Sequence, residues 1–209
     1  LISQAQITQL NAAPTVVLSI LQSLPAPLTS LRLLQLGGEP IKAQLLQEML
    51  EKTADHCQLV NMYGPTECTD ISHTYNLDRS QGPQQPVFIG KPIANVQFLL
   101  LDNNLQATAQ GQAGELYIGG VGVALGYVDS SLDTAFVTLS LLDNSSQTFY
   151  KTGDWARLNS EGLLQYIGRA DDQVKIRGLR IELSDIEQQL NALAGINKTL
   201  PAPNSPTTS

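Results

Sequence analysis

The amino-acid sequence predicts an α/β fold followed by a β-rich part. Between residues 31 and 62, short apolar runs typical of buried strands alternate with a helical stripe and glycine turns, which is the rhythm of a parallel sheet covered by helices. Beyond residue 96, strand patterns follow one another, as in a mostly antiparallel sheet or small barrel. The chain has 209 residues, of which 42% are hydrophobic and 15% charged, so it can bury one substantial core with a small additional lobe.

The α/β part is predicted from its apolar spacing and its turns. Residues 7–24 predict a short strand, a turn at 11–14 and a helix. The predicted elements that follow are a strand at 31–36 closed by Gly37-Gly38, a helix at 41–52 and a strand at 59–62. The last strand leads into a polar turn at 63–67, and ligands of parallel sheets collect at the carboxyl ends of strands.

The β-rich part consists of strand patterns separated by turns. We predict strands at 96–101, 114–119, 149–151 and 163–167, then a hairpin at 174–176 and 180–182 around Gly178. A helix is predicted to start at Ser184. The last residues contain three prolines and no apolar periodicity, so 196–209 is predicted to be a linker or tail.

Charge and cysteine usage exclude several classes of protein. A net charge of −7 and a pI near 4.7 argue against a nucleic-acid-binding protein, because such proteins neutralise phosphates with clustered basic residues. No apolar run is long enough for a membrane span, so no membrane partner is expected. The spacing of Cys57 and Cys68 matches neither a disulfide framework nor a zinc site, and this cysteine usage favours a cytoplasmic location. We assign no catalytic role to the two cysteines or to His56 and His73.

Five motifs occur in a fixed order along the chain, and each alone fits an ordinary turn. They are GGEP at 37–40, NMYGPTE at 61–67, GELYIGGVGVALGY at 114–127, YKTGDWAR at 150–157 and GRADDQVKIRGLRIELSDIE at 168–187. Together they resemble the adenylation domains of nonribosomal peptide synthetases, within the adenylate-forming, AMP-binding enzyme superfamily. The resemblance covers roughly residues 7–193.

The resemblance implies a fold and a reaction. Residues 1–170 correspond to the C-terminal portion of a large AMP-binding lobe, with a parallel α/β sheet and a small antiparallel barrel, and 171–195 to the hinge and start of a small α+β lid lobe. Such domains condense an amino acid with ATP, with Mg²⁺, to an aminoacyl adenylate and pyrophosphate. They then pass the acyl group to the phosphopantetheine of a peptidyl carrier protein, which together with other synthetase domains is an expected partner.

The resemblance also assigns residues to the nucleotide. By similarity Tyr63 packs on adenine, Thr66 bonds the α-phosphate, Glu67 helps to hold Mg²⁺, Asp154 accepts the ribose hydroxyls and Arg169 bonds the ribose and phosphate region. Thr66 and Glu67 are the implied catalytic pair, and four more residues are assigned to the nucleotide site: Gly37, Gly38, Asn61 and Gly64. Taken alone, Glu67 also fits a helix-start acid, Asp154 an Asx turn and Arg169 a solvated side chain.

Substrate choice and domain motion have implied residues too. Six positions match the substrate pocket: Asn11, Gln35, Gly37, Met62, Asp70 and Ile71. These side chains weakly favour a polar or medium-sized amino acid. Asp171 matches the hinge residue of the small lobe, and Gly178 matches the loop that approaches the pantetheine arm.

Departures from the family pattern leave alternatives open. Leu125 stands where relatives commonly have arginine, in a motif whose glycines we assign to turns and packing. The usual phosphate loop, the aspartate for the substrate amino group and the late lysine do not occur in this sequence, so we expect the isolated chain to be inactive in adenylation. An acyl-CoA or aryl-acid ligase and a non-catalytic nucleotide-binding remnant are the alternative functions.

Overall fold

The computed structural model describes residues 2, 4–83, 86–141, 145–171, 173–176 and 179–191. The helices and strands run in the order β1 Gln9–Ala12, α1 Pro14–Ser23, β2 Leu33–Gly37, α2 Ala43–Lys52, β3 Gln58–Tyr63, β4 His73–Asn76, β5 Lys91–Pro92, β6 Val96–Leu101, β7 Ala113–Gly120, β8 Phe136–Ser140, β9 Ser146–Leu158, β10 Leu164–Arg169, β11 Gln173–Ile176, β12 Leu179–Glu182 and α3 Leu183–Asn191.

The first sheet is mixed, with strand order β1-β2-β3-β4-β5. β1, β2 and β3 pair in parallel, whereas β4 and β5 add antiparallel strands. Because strand side chains alternate between faces, Leu34, Leu36 and Leu59 point to one side, where they form a core with α1 and α2. The predicted strand and helix alternation in this part is thereby confirmed.

Helix α1 begins with a proline and is capped from a distant loop. Pro14 takes the first helical position, where a missing N–H costs nothing. Ala13 precedes it and offers no side-chain cap, and instead the Glu39 carboxylate accepts from the Thr15 backbone N at 3.2 Å and the Thr15 hydroxyl at 3.3 Å. The glycine loop after β2 therefore holds the start of α1.

Three predictions for the first sheet were wrong or incomplete. Asn11 was assigned to a turn, but it lies in β1 opposite Gln35 of β2, and the chain turns only at Ala13. β4 and β5 were not predicted. The β4 sequence, HTYN, lacks apolar alternation, and its pairing is decided by the chain folding back so that His73 lies opposite Tyr63.

The second sheet is antiparallel and curls into a half-barrel. Its path is β10-β9-β7-β6, with β8 added beside β9. The predicted mostly antiparallel sheet is thereby confirmed, and in the part of the chain described here it ends at β6 and β10, which do not pair with each other. β8 was not predicted, and β9 extends far beyond the expected 149–151, with a register shift that bends it.

A second core joins the two sheets. Leu116, Ile118 and Leu164 of the half-barrel pack in one cluster with Cys68 and Ile89 from the first part of the chain. The Ile89 backbone N also donates to the Leu164 carbonyl at 2.9 Å. This junction holds the carboxyl ends of β2 and β3 against β9 and β10.

The last described segment is the β11–β12 hairpin followed by α3. The hairpin was predicted, and α3 starts at Leu183, one residue before the expected Ser184. Gly178 and residues 192–209, which include the predicted tail, lie outside the described residues, so the boundaries of the predicted domains stay predictions. Within the described ranges, no helix is long and apolar enough to cross a membrane.

Candidate functional site

A cavity of about 770 Å³ lies where the carboxyl ends of β2 and β3 meet β10 and the hairpin. It is lined by most of the residues that the sequence assigned to the nucleotide, namely Gly38, Asn61, Tyr63, Gly64, Asp154 and Arg169, and by Asp171. These residues come from segments more than a hundred positions apart. The structure therefore brings together the glycine loop, the polar turn and the two late motifs at one place.

Asp154 is at the centre of this site. It is only 6% exposed, and its two oxygens face different donors: Tyr63 donates its hydroxyl to Oδ2, and Arg169 Nη1 donates to Oδ1 at 2.8 Å. Burial and the Asp154 charge raise the pKa of the Tyr63 phenol, which keeps it a neutral donor. A buried carboxylate that already orients two donors matches the chemistry needed to accept a pair of hydroxyls.

Arg169 connects Asp154 with the predicted hinge. Its Nε donates to Asp171 Oδ1 at 2.6 Å and its Nη2 donates to Asp171 Oδ2 at 2.7 Å, a bidentate pair. Burial opposes the positive charge, but the bonds to Asp171 and the charge of Asp154 outweigh it and raise the pKa of Arg169. Taken alone, Arg169 also fits a solvated side chain. That interpretation is wrong, because only 12% of the side chain is exposed.

The turn after β3 needs glycine at residue 64. A Cβ there would lie 2.4 Å from the Asp70 carbonyl oxygen and 2.7 Å from the Ser72 backbone N. Beyond it Thr66 begins a single 3₁₀ turn and is exposed, whereas Glu67 in the same turn is buried. Neither residue lines the cavity directly, although the turn continues straight from its wall at Gly64.

The Glu67 carboxylate is held by a residue that the sequence did not indicate. Tyr127 donates its hydroxyl to Glu67 Oε1, and the backbone N of Ala124 donates to the Glu67 carbonyl at 2.8 Å. The glycines of this loop serve in turns and packing, as predicted: Gly122 lies against the Cys68 carbonyl. Leu125, the departure from the family pattern, is fully exposed.

The predicted substrate-pocket residues divide into two groups. Asn11, Gln35, Gly37 and Met62 share the face of the first sheet that points away from α1 and α2. On that face Gln35 Nε2 contacts Met62 Sδ at 3.4 Å, and only Met62 also lines the cavity. Asp70 and Ile71 lie in the turn after Gly64, where Asp70 has a left-handed backbone with φ of 68°.

Sequence reasoning missed several residues of the cavity wall, among them Tyr166 and Gln173. Burial, followed by the Asp154 charge, raises the pKa of Tyr166 to about 12. No signal for Tyr166 was available in the sequence, because a strict period of two would place it on the opposite face from Arg169; the register shift between Tyr166 and Gly168 brings both to the cavity. Cys57 and Cys68 are free and buried, consistent with packing residues.

Comparisons with known proteins identify the family of this chain. The model of the family described as AMP-binding enzyme matches residues 1–128. The chain belongs to the AMP-binding enzyme family. Within it, the chain is of the nonribosomal peptide synthetase adenylation type, as its relatives show.

Indigoidine synthase of Dickeya dadantii (strain 3937) is 40% identical in an alignment of 199 positions, which covers 91% of this chain and 13% of that protein. A dimodular nonribosomal peptide synthase of Bacillus subtilis (strain 168) is 43% identical over 192 residues, 91% of this chain and 8% of that protein. The solved structure of holo-PA1221, an NRPS protein containing adenylation and PCP domains bound to a vinylsulfonamide inhibitor, has a TM-score of 0.86 and 32% identity. The match covers 94% of this chain and 34% of the solved chain. The chain thus spans a minor part of each relative's length.

The cavity of this AMP-binding chain is large enough for a nucleotide. The volume of the cavity falls in the usual range of about 300–1,000 Å³ for small-molecule sites. Among the described residues, no group of three or more His, Cys, Asp or Glu side chains is placed to hold a metal ion. Mg²⁺ at phosphates commonly takes only one or two protein carboxylates, and Glu67, shielded from bulk water, is the candidate.

Proposed function

We propose that this chain is part of an enzyme that activates an amino acid with ATP and Mg²⁺ and transfers it to a carrier protein. The observation that carries the proposal is the cavity at the strand ends, where Asp154, Tyr63 and Arg169 are held together by hydrogen bonds. The free, buried cysteines agree with a cytoplasmic location.

In the proposed complex, Asp154 accepts hydrogen bonds from the two ribose hydroxyls. These bonds replace, or are added to, the hydrogen bonds that Tyr63 and Arg169 donate to Asp154 in the free protein. The Tyr63 ring packs on adenine. The positive charge of the Arg169 guanidinium also attracts phosphate oxygens, and its planar group is suited to binding them. The Cβ-free Gly38 allows the nucleotide to approach the backbone closely.

The first half-reaction takes place at the turn formed by residues 64–67. The substrate carboxylate oxygen forms a bond to the α-phosphorus, and the bond from that phosphorus to pyrophosphate breaks. Thr66 donates its hydroxyl to the α-phosphate, and Glu67 supplies one carboxylate to Mg²⁺, which offsets phosphate charge when bound. Asn11, Gln35, Gly37, Met62, Asp70 and Ile71 are proposed to shape the pocket for the amino-acid side chain.

The second half-reaction requires the small lobe to turn about Asp171. We propose that release of the Arg169–Asp171 pair, whose donor distances are 2.6 and 2.7 Å, accompanies this rotation. A phosphopantetheine thiol of the carrier protein then attacks the acyl carbonyl, AMP leaves, and a thioester forms. Gly178 is proposed to lie beside the pantetheine arm.

The test is amino-acid-dependent exchange of pyrophosphate into ATP, measured with the longest polypeptide encoded in frame with this chain. We expect exchange with one or a few amino acids and its loss in Asp154→Ala. If exchange occurs only with fatty or aryl acids, the protein is an acyl-CoA or aryl-acid ligase and does not activate amino acids. If nucleotide binds and no acid supports exchange, the chain is a nucleotide-binding remnant.

A further inference from the structure

Tyr127 joins two segments that lie 60 positions apart in the chain. Its hydroxyl donates to Oε1 of Glu67, the carboxylate that the proposed function assigns to Mg²⁺. We propose that Tyr127 is a positioning residue, which orients the Glu67 carboxylate toward the metal-bound phosphates. This inference rests on the proposed function, and its test separates the two.

The loop that carries Tyr127 is attached to the turn that carries Glu67. Besides the bond from the Ala124 backbone N to the Glu67 carbonyl, the Thr69 hydroxyl donates to the Gly122 carbonyl at 2.8 Å. Gly122 packs so closely that a Cβ would lie 3.2 Å from the Cys68 carbonyl oxygen. These contacts connect the two backbones beside the bond from Tyr127 to Glu67.

Tyr127 is also held from its other side. Its backbone N donates to Asp133 Oδ1 at 2.7 Å, and its ring meets Phe136 edge-on with centroids 5.5 Å apart. Gly126, with φ of 144°, permits this approach, since a Cβ there would lie 2.7 Å from Asp133 Oδ2. Backbone and ring are thus restrained independently of the hydroxyl.

This arrangement has a direct physical consequence for a metal ligand. A glutamate side chain loses rotamer freedom when it binds a cation, and a bond that already restrains one oxygen reduces that cost. An ionised carboxylate has about four lone-pair sites, so a hydrogen bond to one of them is compatible with binding a cation. Outer partners of metal ligands typically contribute about 10–100-fold to metal affinity or activity.

The experiment compares wild type and Tyr127→Phe for binding of a fluorescent ATP analogue, first with EDTA and then with Mn²⁺ in place of Mg²⁺. Water-proton relaxation reports the bound Mn²⁺ separately. We expect metal-free affinity to stay within about twofold and the gain in affinity on adding Mn²⁺ to fall about tenfold. The ring of the variant keeps the contact with Phe136, so the loop is expected to remain folded.

The matched control is Tyr117→Phe. Tyr117 also donates its hydroxyl to a carboxylate, Glu115 at 3.4 Å, but it lies in β7 and its partner carboxylate is not assigned to the metal. It should leave the Mn²⁺-dependent gain unchanged. In a double-mutant cycle, Tyr127→Phe added to Glu67→Gln should cause no further loss, because the hydroxyl acts through that carboxylate.

The outcomes separate the inference from the proposed function. If wild type binds nucleotide and Tyr127→Phe keeps the full Mn²⁺-dependent gain, or increases it, the positioning role is overturned and the proposed function stands. If wild type binds no nucleotide, both fall. If Tyr127→Phe unfolds, Asp133→Ala carries the test: it removes the acceptor of the Tyr127 backbone N–H and so loosens the tether of Tyr127, and an unchanged Mn²⁺-dependent gain would equally overturn the inference.

Discussion

Protonation of His73 is expected to destabilise the fold as the pH falls. His73 has no exposed area, and its ring lies edge-on between Tyr63 and Phe98 with centroid distances of 6.0 and 5.5 Å. Its Nδ1 faces the Ser72 hydroxyl at 2.9 Å, while its buried Nε2 has no hydrogen-bond partner within the described part of the chain. Burial lowers the pKa of His73 from 6.5 to about 4.

The sign and size of the effect follow from the two pKa values. The unfolded chain binds a proton at this histidine near pH 6.5, whereas the folded chain binds it only near pH 4, so the free energy of unfolding falls as the pH is lowered through that window. Stability from the neutral histidine is complete above pH 6.5. At pH 4 the loss amounts to about 3 kcal/mol.

The assay is urea unfolding from about pH 7 to about pH 4, followed for wild type, His73→Gln and His56→Gln. A glutamine side chain does not titrate, so the His73→Gln variant should lose about 3 kcal/mol less than wild type over the range. His56, the other histidine, is exposed, and its replacement controls for the loss of a histidine as such. The carboxylates are the same in all three proteins. Equal losses in His73→Gln and wild type would refute the reasoning.

Three further substitutions test the site. Gly64→Ala should lower the free energy of unfolding by about 1–3 kcal/mol, because its Cβ would overlap the backbone at Asp70 and Ser72. Gly168→Ala, with nothing within 4 Å of a new Cβ, should change it by less than about 0.5 kcal/mol, and similar urea midpoints for both would contradict the packing argument. Asp154→Asn removes the charge that faces Arg169 and should weaken binding of a fluorescent ATP analogue at least about tenfold. Unchanged affinity would show that the nucleotide does not use this carboxylate.

Elements with strong local signals were predictable. The apolar stripe of α2 places Leu45, Leu46 and Met49 in the core, and β6 has the bounds that its sequence predicted. β4, β5 and β8 were not predictable, because their polar or mixed sequences obtain their strand conformation from pairing with a neighbouring strand. The bond from the Glu39 carboxylate to α1 was likewise invisible, since it joins residues 24 positions apart.

The sequence by itself determined the family, the order of the motifs and the residue types at the candidate site, because close backbone approach demands glycine and hydroxyl recognition demands a carboxylate or amide. Only the tertiary structure decided which of these residues meet. It directed both oxygens of Asp154 toward Tyr63 and Arg169, separated the cavity from the sheet face with Asn11 and Gln35, and placed Tyr127 on Glu67. Hydrogen bonds act only over about 3 Å, so contacts between distant segments depend on how the two sheets pack.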